Sequence, residues 1–363
     1  MKVVHLSLIA SCLAMAFGAQ ATTINIYGRT DAGIMLENLK GSQTTYQLRS
    51  GGRSAPRIGI TVVEPLPNGM EAKVYLENGF KMDTGEFSTK DTLFDRRSIL
   101  ALKGNWGELG AGRAGTIQST MSPYSMGSIK WDPFGTSYGF ASVGSTFANT
   151  GRTDNGLFYH SPSFNGVKFG LSYSFANSGE EPDEWNDADH TFAMGLNYSN
   201  ADMWVGVTYA NVQTKRVANA STPNANLVQV GGWYRFPGNV RLFVGAGYQN
   251  KFASAAKMTR KFINANGVSV SDTFNGTSWL LGGDWTNGAH KLMWDVQYFR
   301  GKAQALEDTK LTRAVYSLAY EYYLRKNVIL YTAINRSKVG GDYTKDDYKY
   351  DGTQFFAGLN YNF

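Results

Sequence analysis

The chain has 363 residues and a formal net charge of +6, a mild excess that by itself names no partner. Its 41 glycines, 21 tyrosines, 21 phenylalanines and 8 tryptophans, against 9 prolines and 1 cysteine, point to many short strands and turns and exclude a disulfide-built fold. Beyond the leader no stretch offers about 18 uncharged apolar residues in a row. That excludes a spanning helix but not a β-barrel, which needs apolar residues only at every second position.

In chain order, Lys2 gives a short positive start, Val3 to Phe17 is mostly apolar, and Ala19-Gln20-Ala21 places small residues at the two cleavage-pocket positions. A cleaved secretory signal over residues 1–21 is predicted, with a mature start at Thr22. A rival reading takes Ile9-Ala10-Ser11-Cys12 as a lipidation box, at the cost of a very short apolar core. Cleavage after Ala21 would remove the chain's cysteine and Lys2.

From Ile24 the period is two. Ile24, Ile26, Ala32 and Ile34 share one face, which turns Arg29 and Asp31 to the other. Ile58, Ile60 and Val62 likewise oppose Arg57, and Ala72, Val74 and Leu76 oppose Glu71, Lys73, Tyr75 and Glu77. "RRSILAL" at 96–102 fits either phase, so either Arg96 or Arg97 faces the wet side. "GAGRAG" at 110–115 has the GxGxxG spacing, with Asp132 about 20 residues on. A dinucleotide site requires such glycines to lead from a strand into a helix. Here they end a strand and enter a loop rich in Ser, Gly and Pro, where glycine permits close packing.

That loop, about 114–152, is the longest stretch without period, and its middle reads "SIKWDPFGTSYG". Lys130 and Asp132 are its charged groups between Gly115 and Gly151. Trp131 and Phe134 are expected to pin it, and Pro133 and Gly135 to turn it. Alternation then resumes: Val167, Phe169, Leu171, Tyr173 and Phe175 share a face, as do Phe192, Met194, Leu196 and Tyr198, and later Leu292, Trp294, Val296 and Tyr298.

Connections alternate between short ("PLPNG", "GNWG", "SNAD", "PGN", "LRKN") and long (near 38–54, 78–93, 114–152, 176–189, 213–225, 250–274, 301–311 and 336–351). Up-and-down hairpins follow, sixteen strands in one domain over 22–363, the last from Thr353 to Phe363. Aromatic residues end many apolar faces, as expected where a barrel wall meets lipid headgroups. A closed barrel also satisfies its backbone without water.

Other chemistries fit poorly. A hydrolase, known on some outer-membrane barrels, needs an acid, a histidine and a nucleophile together. His160, His190 and His290 fall at strand ends and turns on opposite rims. No metal site, cofactor or nucleic-acid partner is expected.

Several segments resemble the trimeric porins of Gram-negative bacteria, most closely their beta-proteobacterial branch. They are "INIYGRTDAGI" (24–34), "RIGITVVEPLPNGMEAKVYLENGF" (57–80), "FDRRSILALKGNWGELGAGR" (94–113), "RTDNGLFYHSPSF" (152–164), "DPFGT" in the long loop, "YYLRKNVILY" (322–331) and the terminal "FFAGLNYNF". The resemblance implies an all-β transmembrane barrel of 16 strands, a homotrimer and a water-filled pore narrowed by an inward third loop. It implies a basic wall opposite that loop at Arg29, Arg57, Arg96 and Arg152, joined by Arg113. It makes Phe363 the insertion signal read by the barrel-assembly machinery, and 78–93 a latch onto a neighbouring subunit.

The expected protein is therefore a general diffusion porin in contact with outer-membrane lipid and lipopolysaccharide. It would pass small hydrophilic solutes and ions without catalysis. Four or five arginines against Asp132 predict anion preference. The alternative is a channel specific for a sugar or organic acid, its aromatic slide beginning at Trp131, Phe134, Tyr138 and Phe140.

Overall fold

The computed structural model describes residues 21–179, 187–214, 224–254, 257, 261–263, 269–271, 273–304, 309–342 and 349–363. The signal reading and Cys12 lie outside them but for Ala21. Sixteen barrel strands run up and down: β1 (Thr23–Leu39), β2 in two pieces (Thr45–Ser50 and Arg57–Pro65), β3 (Glu71–Gly79), β4 (Arg97–Gly104), β5 (Gly107–Gly115), β6 (Arg152–His160), β7 (Val167–Ser174), β8 (His190–Ser199), β9 (Met203–Gln213), β10 (Ala225–Phe236), β11 (Val240–Phe252), β12 (Phe274–Asn287), β13 (His290–Ala303), β14 (Lys310–Arg325), β15 (Val328–Gly341) and β16 (Gly352–Asn362). Every neighbouring pair is antiparallel, and β16 returns to β1 in register from Arg29↔Asn362 to Leu39↔Gly352, closing the sheet. Closure leaves no edge, the condition for a sheet to cross lipid.

The alternation read from the sequence is the alternation of the wall. On β13, Leu292, Trp294, Val296 and Tyr298 are exposed outside, while Met293, Asp295, Gln297 and Phe299 are buried inside. Ile24 is 65% exposed and Leu100 64%, too much apolar surface on one face for a protein bathed in water. The short-turn rim uses residues that accept positive φ, among them Asn68, Asn165 and Asn239.

One departure is local. The stretch 38–54, expected as loop, holds the first piece of β2, which pairs with β1 from Ala32↔Ser50 to Glu37↔Thr45. Strand two is thus a single strand broken at Gly51–Pro56. Pro56 cannot donate a ladder hydrogen bond, and Gly51 takes φ +75, so the chain leaves the sheet there and re-enters at Arg57.

The loop between β5 and β6 turns into the barrel. Its side chains join three clusters with the inner wall: Ile117, Tyr124 and Met126 with strands β4 to β10, Trp131, Val143 and Phe147 with β11 and β12, and Phe134, Tyr138 and Ala141 with the last strands and Met35.

Candidate pore constriction

The wall receives this loop through missing side chains. A Cβ at Gly245 of β11 would lie 2.1 Å from the Trp131 ring, and one at Gly231 of β10 would lie 2.3 Å from it. The two glycines stand directly across from each other in the register, so together they form a slot for one indole. Gly170 and Gly195 receive Ile117 in the same way, Gly247 receives Phe147, and Gly282 receives Pro133. Trp131 ends 1% exposed. Burying an indole removes about 200 Å² from water, on the order of 5 kcal/mol before the cost of ordering the loop.

Polar contacts fix the rest. Thr146 donates to Gln297 (2.7 Å), Gln297 donates to the Ala141 carbonyl (2.7 Å), and Gln229 donates to the Ala148 carbonyl (2.7 Å). The loop therefore runs from β4 round to β16 and leaves uncovered the wall that carries Arg29, Arg57 and Arg97.

Asp132 does not stand in the lumen. It is 6% exposed, and its Oδ1 accepts hydrogen bonds from the Phe134 and Gly135 amides (2.6 and 3.1 Å). It is the residue that makes the turn, in the manner of Asp before a turn or helix start. Burial, and then Asp295 beside it, push its carboxyl well above the usual carboxylate range. Gly135, at φ +59, completes the turn, and its carbonyl accepts from the Val143 amide (2.8 Å). Pro133 rests on Gly282, and Phe134 is 4% exposed among Met35, Met293 and Ala319. Lys130 is exposed. The loop thus shows the lumen an ammonium, while its aspartate is folded away.

The uncovered wall is basic. Glu77 of β3 lies among three guanidiniums, Arg96 at 2.7 Å, Arg97 at 3.6 Å and Arg57 at 3.7 Å, and accepts from the Tyr27 hydroxyl at 2.9 Å. The open choice at "RRSILAL" resolves to both residues: Arg97 faces inward on β4, and Arg96, on the approach to it, reaches the same carboxylate. Arg29 stands directly across from Arg57 in the register and donates to Ser54 Oγ at 2.7 Å. Arg113 pairs with Asp154 and donates to the Asp95 carbonyl at 2.9 Å, and Arg152 donates to the Arg96 carbonyl at 3.1 Å. A cavity of about 450 Å³ opens among Tyr27, Arg29, Arg57, Glu77 and Arg97.

Like charges facing across a ladder cost stability, so Arg29 and Arg57 are poorly explained by folding alone. Asp31, also inward, is occupied by Tyr331 (2.8 Å), the Ser54 amide (3.0 Å) and Asn360 (3.2 Å); it fastens the break in β2.

Two site residues had no reading in the sequence. Arg53, in that break, reaches Glu321 of β14 with two hydrogen bonds (2.7 and 3.1 Å), and the Tyr138 hydroxyl donates to the same carboxylate at 2.7 Å. The available signal was "RSGGRSAP", a turn composition inside a strand. Arg313 of β14, 1% exposed, donates to the Ser145 carbonyl at 3.1 Å and lies over Phe140. Among the described residues no three His, Cys, Asp or Glu side chains converge as a metal site. His160 ends β6 and His190 opens β8, whereas His290, expected in a short turn, is the first residue of β13.

The sequence pattern of the Gram-negative porins matches residues 7–362. The chain belongs to the Gram-negative porins. It is similar to an outer membrane porin protein of Bordetella pertussis, 29% identical over 90% of this chain and 92% of that one. It is also similar to outer membrane porin protein 32 of Delftia acidovorans, 31% identical over 47% of this chain and 49% of that one. Among solved structures, the anion-selective porin from Comamonas acidovorans superposes with a TM-score of 0.64 at 20% identity, over 94% of this chain and all of that one. The trimer form of OmpT from Vibrio cholerae superposes at 0.63 and 15% identity, over 95% of this chain and all of that one. This porin is accordingly an outer-membrane transport barrel, with its short turns at the periplasmic rim and its long loops outside.

Proposed function

We propose that this porin is a trimeric general diffusion channel that favours anions and performs no chemistry on its solutes. The observation that carries the reading is the charge at the narrowing. Arg29, Arg57, Arg96, Arg97, Arg113 and Arg152 stand against Asp31, Glu77, Asp95 and Asp154, with Lys130 added from the loop and Asp132 withdrawn from it. A low-dielectric wall focuses the field of such groups along a narrow aqueous path, which concentrates anions and repels cations. The porin from Comamonas acidovorans, an anion-selective one, agrees with this reading. Trp131, Pro133, Phe134 and Gly135 act as the loop's anchors in it.

Trimer formation is supported by the V. cholerae relative and by the loop after β3, where Met82, Phe87 and Leu93 are 42%, 53% and 62% exposed. Apolar side chains held out from a polar loop suit a latch onto a neighbouring copy. Phe363, 50% exposed with its ring over Gly28 at the outer face, suits a terminal signal for the assembly machinery.

The test is the zero-current potential across a KCl gradient in planar bilayers. An anion-directed potential is expected, reduced by Arg29→Gln and by Arg57→Gln. A cation-directed potential, or one indifferent to both substitutions, overturns the reading.

A further inference from the structure

The four loop aromatics that the sequence offers as the start of a slide are buried: Trp131 at 1%, Phe134 at 4%, Tyr138 at 1% and Phe140 at 8%. None of them can touch a passing solute. Rings that can are found on the wall, one ladder rung below the loop.

Trp204 of β9, Trp233 of β10 and Phe243 of β11 stand directly across from one another in the register, all on the inward phase. The rung above them, toward the outside, is the glycine pair filled by Trp131. Phe243 is buried beneath Trp131, whereas Trp204 and Trp233 are half-buried at the edge of the loop cluster.

The next rung toward the periplasm is ionic. Arg235 stands across from Arg241, and Arg241 across from Asp284. The Arg241 guanidinium lies 5.2 Å from the Trp233 ring centre and 5.0 Å from that of Phe243, held by Asp284 at 2.9 Å. Asp284 is shared with Lys291 at 3.5 Å. Arg235, exposed, lies 5.8 Å from the Trp233 ring centre, and among the described residues no carboxylate pairs with it. Arg235, Arg241 and Lys291 thus surround Asp284 beside two half-buried indoles, with Glu321, itself held by Arg53, across from Lys291.

We infer that this rung pair is a docking shelf for planar aromatic anions at the periplasmic side of the constriction. It rests on the channel reading above and adds a solute class to it. The ring of such a solute stacks on Trp233 or Trp204, and its carboxylate takes the donors of Arg235. A neutral sugar would gain the stacking alone and a small carboxylate the ion pair alone, so the two features together select solutes that carry both.

The test uses wild-type protein in planar bilayers in KCl, with sodium benzoate added on the periplasmic side. Sodium acetate supplies the charge without the ring, and benzyl alcohol the ring without the charge. Benzoate is expected to give saturable, concentration-dependent interruptions of single-channel current, and the other two probes none at the same concentrations. In channels that conduct KCl, Trp233→Ala and Arg235→Gln should each weaken the benzoate response at least about threefold, the scale of one cation–π or stacking contact. Arg235 is exposed, so its variant carries the test if Trp233→Ala fails to assemble. Equal responses to benzoate and acetate, or to benzoate and benzyl alcohol, overturn the shelf, as does a wild-type benzoate response in Arg235→Gln. Wild-type protein that passes no KCl current overturns the channel reading, a separate result seen before any probe is added.

Discussion

Single residues show how little their type says about their task in a pore. Asp132 is an acid on a constriction loop, but its Oδ1 serves a turn and its neighbour is another acid, Asp295. Its carboxyl holds a proton to higher pH in the folded protein than in the unfolded chain. Folding therefore loses free energy as pH rises above the ordinary carboxylate range near about 4. Asp132→Asn keeps the acceptor for the Phe134 and Gly135 amides and removes the ionisation. It should raise the thermal midpoint in detergent at pH 7, with the gain vanishing below about pH 4, and should leave the zero-current potential unchanged. A large change in selectivity would mean that Asp132 faces ions after all. Glu77 is the opposite case, one carboxylate among three guanidiniums. Glu77→Gln should strengthen anion selectivity, read from the same potential, while destabilising the wall by leaving like charges unscreened.

At the scale of elements, the loop and the wall are complementary by subtraction. Gly245→Val places atoms where the Trp131 ring now sits. The expected result is a loop displaced from its slot, a loss of about 1–3 kcal/mol, higher conductance, and new protease cleavage between 116 and 151. The Arg53–Glu321–Tyr138 contact ties the break in strand two to the same loop. Glu321→Gln leaves Arg53 without its counter-charge and should cost about 3–5 kcal/mol, against about 1–2 kcal/mol for Tyr138→Phe, compared by thermal midpoints.

The strands were legible in the sequence because a period of two is a local signal, and Arg29 and Arg57 could be aimed by their apolar neighbours. The phase at Arg96 and Arg97 was not, because a residue just before a strand can turn either way. The burial of Asp132 and the pairing of Arg53 with Glu321 were not either, since both depend on where a loop lands on strands far away in the chain.

For the whole molecule, selectivity by a fixed wall of charge is a field effect, and salt screens fields. The Debye length falls from about 10 Å at 0.1 M to about 3 Å at 1 M. The anion preference measured with gradients centred near 0.1 M should therefore shrink clearly near 1 M. A preference independent of salt would point to contact recognition of ions in place of a field. The closure of the barrel has a bearing on its birth. The last residue, Phe363, exchanges two backbone hydrogen bonds with Gly28 (2.9 and 3.0 Å) and lays its ring where any larger residue at 28 would project. The first strand is made at the start of synthesis, yet its second neighbour arrives only with the eleven residues of β16. Until then every molecule carries an open sticky edge with nothing of its own to cover it. Closure of the barrel therefore waits on the tail, because β16 covers the free side of the first strand and Phe363 fastens the seam at Gly28.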